Sequence, residues 1–270
     1  THRLSSAASD VYKRQIHRWL PAAMVAPTPV SALLHAVAVV KAGVFSFLVV
    51  IVYIVGPDYL LQTNSSDWLV WLACFTIMAS SIIAITKDDL KARLAYSTIS
   101  QLSYIILGAA LASSLAIKGA SFHIITHALG KITLFFCAGA IYVTAHIKKV
   151  SELKGLGFKL PLIFVAYTLG ALSIIGVPPF IGSWSKFYLI MGSLEREFIF
   201  VAIILGISSL LNIYYLLQPV VIGFTQTRKK EIKLIKSPLT VWPPVITGIG
   251  CFILFFYSDY FIHNVNRVIA

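Results

Sequence analysis

Residues 119–145 read GASFHIITHALGKITLFFCAGAIYVTA, an apolar run whose single charged side chain is Lys131. A helix needs about 20 mostly apolar residues to cross a bilayer, so this run is long enough to span one. Similar runs precede and follow it along the chain. The seven predicted spans are residues 29–56, 68–86, 92–115, 119–145, 160–191, 198–223 and 240–262. The sequence therefore predicts an all-α, polytopic integral membrane protein with about seven transmembrane helices.

The overall composition supports this class of protein. Of the 270 residues, 58% are hydrophobic and 12% are charged, and the mean hydropathy is +0.86. A soluble domain has about 25% charged residues and about 45–50% apolar ones. These values exclude an ordinary soluble enzyme, a disordered chain and a nucleic-acid-binding module, even though the net charge is +12.

The N-terminal segment, residues 1–15, differs from the rest of the chain. It is polar, and it lacks the apolar core of a signal peptide. We expect it to be a non-native or disordered segment, so that the natural polypeptide begins before Ile16. The transmembrane domain is expected to cover residues 16–263, followed by a short tail at residues 264–270.

The basic residues indicate how the spans are oriented. The side of the membrane that holds the first, third and fifth loops carries only Lys118, Arg196 and Arg267. The loops after the second, fourth and sixth spans hold Lys87, Lys91, Arg93, Lys148, Lys149, Lys154, Lys159, Arg228, Lys229, Lys230, Lys233 and Lys236. Because cytoplasmic loops are enriched in lysine and arginine, the second set is expected in the cytoplasm. Membrane anchoring then accounts for the net positive charge.

Three lysines lie inside predicted spans: Lys41, Lys131 and Lys186. A lysine at the bilayer centre costs roughly 2.5–3.5 kcal/mol on insertion scales, so a functional reason is expected for each. Lys41 and Lys131 lie about 18 Å along their helices, too deep to reach the interface. Lys186 is nearer a span end, where extension of the side chain to the interface is the alternative. A buried lysine exchanges a proton near neutral pH because desolvation penalises its charged form.

Histidines accompany two of these lysines. His123, His127 and Lys131 follow one another at steps of four residues, which places them on one helix face about 6 Å apart. Histidine donates and accepts protons near pH 6.5, so the series favours a proton relay. A zinc site is the alternative, since two histidines four residues apart can bind zinc, although no carboxylate or cysteine stands nearby to complete it. His35 is a further candidate, about 120° from Lys41 on a straight helix.

Two other features point to a polar path. Ser97, Ser100, Gln101 and Tyr104 form a polar stripe on one helix face, which either hydrates a channel or bonds neighbouring helices together. Pro178 and Pro179 predict that the fifth span is broken at membrane depth. Broken helices in transporters tend to lie at the substrate pathway.

No cofactor or catalytic site is indicated by the sequence. It has no Gly-rich phosphate loop, dinucleotide or flavin fingerprint, cysteine cluster or haem-ligand pattern, so we expect neither a cofactor nor a metal. All ten acidic residues lie in loops, at span ends or in the N-terminal segment. The buried lysines are therefore either mostly neutral or paired with acids in another part of the protein or in another subunit.

Four ordered blocks of sequence cover residues 16–190. They read WLPAAM (19–24) with APTPVSALLH (26–35), DDLK (88–91) with LAYSTISQLSY (94–104), FHIITHALGK (122–131), and GVPPFIGSWSK (176–186). These blocks resemble the antiporter-like membrane subunits shared by respiratory complex I (NADH-quinone oxidoreductase) and the Mrp monovalent-cation/proton antiporters.

The resemblance implies a fold of fourteen core helices in two inverted five-helix repeats, each with a broken helix. This chain would hold the second half, from the end of helix seven to helix fourteen, and with it the proton-exit half-channel. The proton-relay residues that the resemblance implies are Lys41 and His35 on helix eight, His123, His127 and Lys131 on helix eleven, and Lys186 on broken helix twelve. The acid partner of the lysines would then belong to the first half.

The resemblance also implies a function and partners. We expect a proton-translocating subunit of a multisubunit Na⁺/proton antiporter of the Mrp type, in the bacterial inner membrane and bound to other membrane subunits. The sequence VVKAG around Lys41 (39–43) favours this assignment. The alternative is a proton-pumping membrane subunit of NADH-quinone oxidoreductase. A third hypothesis is a non-transporting scaffold, whose polar residues only hold helices together.

Overall fold

The computed structural model describes residues 39–225 and 238–269, together with Thr28, Ala32 and Leu33. In these parts of the chain every regular element is a helix, which confirms the all-α prediction for them. The helices are α1 (Val39–Val49, continued by a π-helical turn over Val50–Val55), α2 (Pro57–Thr63), α3 (Asp67–Thr86), α4 (Leu90–Ala110), α5 (Ser114–Ala145), α6 (Leu156–Lys159), α7 (Pro161–Ile175), α8 (Gly182–Glu195), α9 (Ile199–Thr225), α10 (Trp242–Phe256) and α11 (Ser258–Ile269).

Several of these helices are long and apolar enough to cross a membrane. Within the described ranges, α3, α5 and α9 qualify alone. Two bent pairs qualify as single spans: α1 with α2, bent by 78°, and α10 with α11, bent by 71°. Helix α4 has 21 residues, but its serines and its glutamine lower its hydropathy. Helix α7 is one half of a broken span. The chain is a multi-pass membrane protein.

The boundary predicted between the third and fourth spans is wrong. Helix α4 ends at Ala110 instead of residue 115, and α5 begins at Ser114 instead of residue 119. Between them Ala112 adopts a left-handed conformation, with φ of 54°. Ser113 caps α5 by accepting a hydrogen bond from the Ala116 amide at 3.2 Å. Apolar side chains continue across the turn, so hydropathy alone does not locate it.

The last predicted span, residues 240–262, is bent. Helix α10 ends at Phe256, and the next helix turns away by 71°. Helix α11 alternates apolar residues with Asp259, His263 and Asn264, and all three of these are exposed. Its apolar side packs on α5, where Phe261 meets Phe122 edge-to-face at 6.3 Å. An amphipathic helix of this kind favours an interface over the membrane interior.

The fifth predicted span is broken, as the prolines indicated. Helix α7 ends at Ile175 and α8 begins at Gly182. Gly176 has φ of 86°, in the left-handed region that glycine adopts without strain, and the peptide between Pro178 and Pro179 is cis. The break leaves the last carbonyl groups of α7 without helical donors.

Helix α5 lies at the centre of the described bundle, in contact with α4, α7, α8 and α10. Small residues allow the helices to approach closely, as is typical of membrane proteins. A Cβ atom on Gly119 of α5 would lie 2.8 Å from the backbone nitrogen of Leu189 on α8. The neighbours of α5 are therefore close enough for their side chains to meet those of its polar residues.

Candidate functional site

Lys131 is fully buried on α5, with 0% of its surface exposed. Its Nζ donates to the carbonyl of Leu94 at 3.2 Å and to Ser97 Oγ at 2.6 Å, both on α4. Ser97 Oγ lies 2.9 Å from the hydroxyl of Tyr215 on α9, and that hydroxyl also bonds to Asn212 Oδ1. A chain of polar groups therefore connects three helices at Lys131.

The two histidines lie on the same face of α5 as Lys131. His123 Nδ1 lies 2.9 Å from Ser185 Oγ of α8, and its ring stacks on Tyr104 at 5.5 Å between centroids. The His123 and His127 rings are 6.0 Å apart. His123 Nε2 and both nitrogens of His127 are buried without a hydrogen-bond partner among the described residues. These nitrogens remain able to donate or accept a proton.

The polar stripe of α4 runs alongside this face of α5 in the opposite direction. Ser97 contacts Lys131 and Tyr104 contacts His123. Gln101, one turn after Ser97, therefore lies level with His127. Both polar atoms of the Gln101 amide are buried and without a hydrogen bond in the described part of the chain. Buried polar atoms of this kind are usually satisfied by internal water.

Lys186 lies on α8, just after the broken segment, and is 6% exposed. Its Nζ donates to the carbonyl of Ile175 at 2.8 Å and to Ser209 Oγ at 2.9 Å, and it lies 5.2 Å from the ring centroid of Tyr104. The Ile175 carbonyl is one of those that the break leaves without a helical donor, and a cation is favourable at a helix C-terminus. The side chain thus points into the bundle and does not extend to the interface.

Lys41 lies on α1 and is also buried. Its Nζ donates to the carbonyl of Ile124 on α5, the residue next to His123. Lys41 therefore approaches the histidines from a third direction. His35, predicted to act with Lys41, lies outside the described residues.

Arg93 was counted among the basic loop residues, but it is not a loop residue. It lies within α4 and is 3% exposed. Its Nε donates to the carbonyl of Lys87 at 2.8 Å, and its Nη1 donates to the carbonyl of Tyr215 at 3.2 Å and to Gln218 Oε1 at 2.6 Å. The residue that could have indicated this contact is Pro219, inside the apolar run that forms α9. A proline within a helix leaves the carbonyl four residues earlier without its helical donor.

Ser100, in the same polar stripe of α4, joins a cluster of serines whose other members, Ser81 and Ser208, were not predicted. Ser81 Oγ on α3 lies 2.9 Å from Ser100 Oγ on α4 and 3.3 Å from Ser208 Oγ on α9. Ser81 thus joins three helices, and Ser100 bonds to α3, whereas Ser97 bonds to Lys131 of α5. Ser100 therefore bonds neighbouring helices together, which was one of the two uses predicted for the polar stripe, and Ser97 also contacts the buried lysine.

The site offers proton donors and acceptors. In the described ranges, no three side chains of His, Cys, Asp or Glu come together as a ligand set for a metal ion. His123 and His127 are accompanied by a serine hydroxyl and the Tyr104 ring. Lysine, histidine and hydroxyl groups in this arrangement can hold and pass protons.

Comparison with known proteins identifies the family. A family model described as NADH:quinone oxidoreductase/Mrp antiporter, transmembrane, matches residues 8–212. NADH-quinone oxidoreductase subunit N of Desulforudis audaxviator is 33% identical over 271 residues, covering 93% of this chain and 52% of the relative. NAD(P)H-quinone oxidoreductase chain 5 of Synechocystis sp. is 38% identical over 180 residues, covering 63% of this chain and 25% of the relative.

Solved structures share the fold. The Mrp complex from Dietzia sp. DQ12-45-1b matches with a TM-score of 0.81 at 20% identity, covering 92% of this chain and 54% of that one. Respiratory complex I from Thermus thermophilus matches with a TM-score of 0.71 at 22% identity, again covering 92% and 54%.

The chain spans about half the length of subunit N and a quarter of chain 5. The segment matched by the family model covers more than half of the chain and includes all three buried lysines. This protein therefore belongs to the NADH:quinone oxidoreductase/Mrp antiporter transmembrane family.

Proposed function

We propose that this chain forms a proton-conducting half-channel in a multisubunit membrane complex. Lys41, Lys131 and Lys186 would hold the protons, and His123 and His127 would pass them between the lysines. The observation that carries the proposal is the burial of three lysines around the two histidines of α5. Lys131 lies on the same helix as the histidines, Lys41 of α1 bonds to the Ile124 carbonyl beside His123, and Lys186 of α8 directly follows Ser185, which contacts His123.

The contacts support an order of transfer. Lys131 lies one turn from His127 on α5, and His127 lies one turn from His123. His123 contacts Ser185, which immediately precedes Lys186 on α8. Internal water would join the groups that do not touch, since the polar side-chain atoms of His127 and Gln101 have no hydrogen bonds to other described residues. The proton then moves from Lys131 through the histidines towards Lys186.

The driving force is proposed to be electrostatic. A buried ammonium group is penalised by desolvation, so a nearby charge decides whether the lysine holds its proton. The hydrogen bonds of Lys41, Lys131 and Lys186 to other described residues go to carbonyl and hydroxyl oxygens, not to carboxylates. The acid that controls Lys41 and Lys131 would therefore be supplied by another part of the natural protein or by another subunit.

The named relatives favour one kind of complex. Both curated relatives described above are subunits of quinone oxidoreductases, at 33% and 38% identity. We therefore place the proton-pumping membrane subunit of an NADH-quinone oxidoreductase first, reversing the order of the sequence analysis. The Mrp-type Na⁺/proton antiporter is the second candidate, favoured by the sequence around Lys41. In either case the site would be in the bacterial inner membrane, with the basic loops in the cytoplasm.

The test uses the native complex in proteoliposomes. Lys131→Ala and His127→Ala remove groups that are proposed to carry the proton, so proton uptake per assembled complex should fall about ten-fold or more. Lys154→Ala, at an exposed lysine, is the matched control and should leave uptake unchanged. Full uptake in both buried-site variants would instead support a scaffold.

The source of energy separates the two candidates. A quinone oxidoreductase subunit should show uptake that depends on NADH and quinone, and uptake should not respond to Na⁺. An antiporter subunit should show uptake driven by a Na⁺ gradient without any electron donor.

A further inference from the structure

Helix α9 contains a proline within its length. Pro219 has no backbone N–H, so the carbonyl of Tyr215, four residues earlier, lacks its helical donor. The helix nevertheless continues to Thr225. Transmembrane helices tolerate such a proline when a neighbouring group satisfies the carbonyl that it leaves free.

Arg93 of α4 supplies that group. Its Nη1 donates to the Tyr215 carbonyl at 3.2 Å and to Gln218 Oε1 at 2.6 Å, on the same turn of α9. Its Nε is fixed at the other side by the carbonyl of Lys87 at 2.8 Å. The planar guanidinium holds several acceptors in a fixed geometry. Arg93 thus fixes the position of the Tyr215 backbone relative to α4.

The side chain of Tyr215 leads directly to the buried lysine. Its hydroxyl lies 2.9 Å from Ser97 Oγ, and Ser97 Oγ accepts the 2.6 Å hydrogen bond from Lys131 Nζ. Ser97 is itself one turn after Arg93 on α4. Arg93 and Lys131 are therefore connected through two residues, one on each helix that Arg93 joins.

We propose that Arg93 is a positioning residue for Lys131: by binding the carbonyl that Pro219 leaves free, it holds Tyr215 so that the tyrosine hydroxyl orients Ser97 as the acceptor of Lys131. This inference rests on the proposed function, because it assigns a role in proton transfer by Lys131. Arg93 neither carries the proton nor touches Lys131.

The test is a double-mutant cycle on proton uptake per assembled complex. Arg93→Met keeps the length of the side chain and removes its donors, and Tyr215→Phe removes only the hydroxyl. Each change should lower uptake about ten-fold, which is within the range expected for the loss of one hydrogen bond. Because both act through Ser97, the double variant should be no slower than the slower single variant.

Two further variants separate positioning from folding. Arg93→Lys keeps a charged donor and should recover at least half of the uptake lost in Arg93→Met. Pro219→Ala restores the missing N–H, so Arg93→Met with Pro219→Ala should assemble even if Arg93→Met alone does not. Arg196→Met, in the partly exposed ion pair with Asp67, is the control and should have no effect on uptake.

The inference is overturned by unchanged uptake in Arg93→Met, or by effects of Arg93→Met and Tyr215→Phe that multiply. Failure of the Arg93→Met, Pro219→Ala pair to assemble would also overturn it, because the Tyr215 carbonyl would then not be the reason for burying Arg93. Lys131→Ala separates failure of the proposed function from failure of the role of Arg93. Normal uptake in Lys131→Ala contradicts the proposed function itself. If Lys131→Ala is inactive and the effects of Arg93→Met and Tyr215→Phe multiply, only the role of Arg93 is contradicted.

Discussion

The ammonium groups of the buried lysines contact neutral acceptors. Lys41, Lys131 and Lys186 each donate to a backbone carbonyl, and the last two also donate to a serine hydroxyl. A carboxylate partner would favour the charged lysine strongly. A carbonyl or hydroxyl accepts a hydrogen bond from either the ammonium or the neutral amine, so these contacts hold Nζ in place and leave its proton exchangeable.

Ser185 provides a test at the scale of one residue. Its hydroxyl lies 2.9 Å from His123 Nδ1 and orients the ring towards its relay partners. The same hydroxyl donates to the carbonyl of Gly182 at 2.9 Å and accepts a hydrogen bond from Thr126 Oγ1 at 3.4 Å. Ser185→Ala removes all three bonds, and loss of the one to His123, worth about 0.5–1.5 kcal/mol, should lower proton uptake by about two- to ten-fold. Ser183→Ala is the control, because the Ser183 hydroxyl bonds only to the carbonyl of Phe180 and its loss should not change uptake. Equal effects of the two variants would contradict the orienting role.

At the scale of elements, the close contact of α5 and α8 positions His123 against Ser185. Gly119→Val would bring a side chain within 2.8 Å of the Leu189 nitrogen, and overpacking of this kind costs about 1–3 kcal/mol. The melting temperature in detergent should fall measurably. Gly206→Val on α9 meets nothing within 4 Å and should leave it nearly unchanged. A larger loss in the Gly206 variant would contradict the described packing.

The loops that precede α4 and follow α5 are joined at Asp88. The Ser151 hydroxyl donates to Asp88 Oδ2 at 2.7 Å and the Ser151 amide donates to Oδ1 at 3.0 Å. Burial alone would raise the pKa of Asp88. The bonds from Ser151 and the charges of Lys149 and Arg93 outweigh it and hold the pKa below its ordinary value of 3.8.

A pH dependence follows from that shift. A carboxyl whose pKa is lower in the folded state stabilises the protein above its unfolded pKa, and this contribution is lost as the pH falls through the folded pKa. Asp88→Asn should therefore lower the melting temperature at neutral pH, and the difference from the native protein should shrink on acidification. A difference that stays constant down to the acid limit of the folded protein would contradict the role of the Asp88 charge.

The sequence predicted the elements whose boundaries coincide with a change in polarity. The bounds of α3 and α9 agree with predicted spans to within two residues at each end, because charged or turn residues flank them. The turn at Ala112 and the bend after Phe256 were missed because apolar side chains continue through both. Backbone capping and a left-handed residue set the first of these boundaries, and neither changes the hydropathy.

The same reasoning applies to the site. Lys131, His123 and His127 were found because charged or titratable groups are costly inside an apolar helix. Arg93 was missed because it follows a run of basic loop residues and looks like part of it. Its burial depends on Pro219 of α9, more than a hundred positions away in the sequence. A long-range contact of this kind carries no local signal other than the proline itself.

At the scale of the whole molecule, α5 is the helix to which the functional groups of its neighbours are directed. Lys41 approaches it from α1, Ser97 from α4 and Ser185 from α8. The chain spans about half of subunit N, so we expect the charge that drives these groups to come from outside the described bundle. Lys131, on this helix, is therefore the central group of the proposed proton relay.

The most direct test is proton uptake by the native complex carrying Lys131→Arg. Arginine keeps the positive charge and the hydrogen-bond donors that would hold α5 to α4, but it does not release its proton in proteins. We expect the complex to assemble normally and uptake to fall about ten-fold or more. Native uptake in the arginine variant would mean that Lys131 only holds the helices together, and the proton-relay account would be wrong.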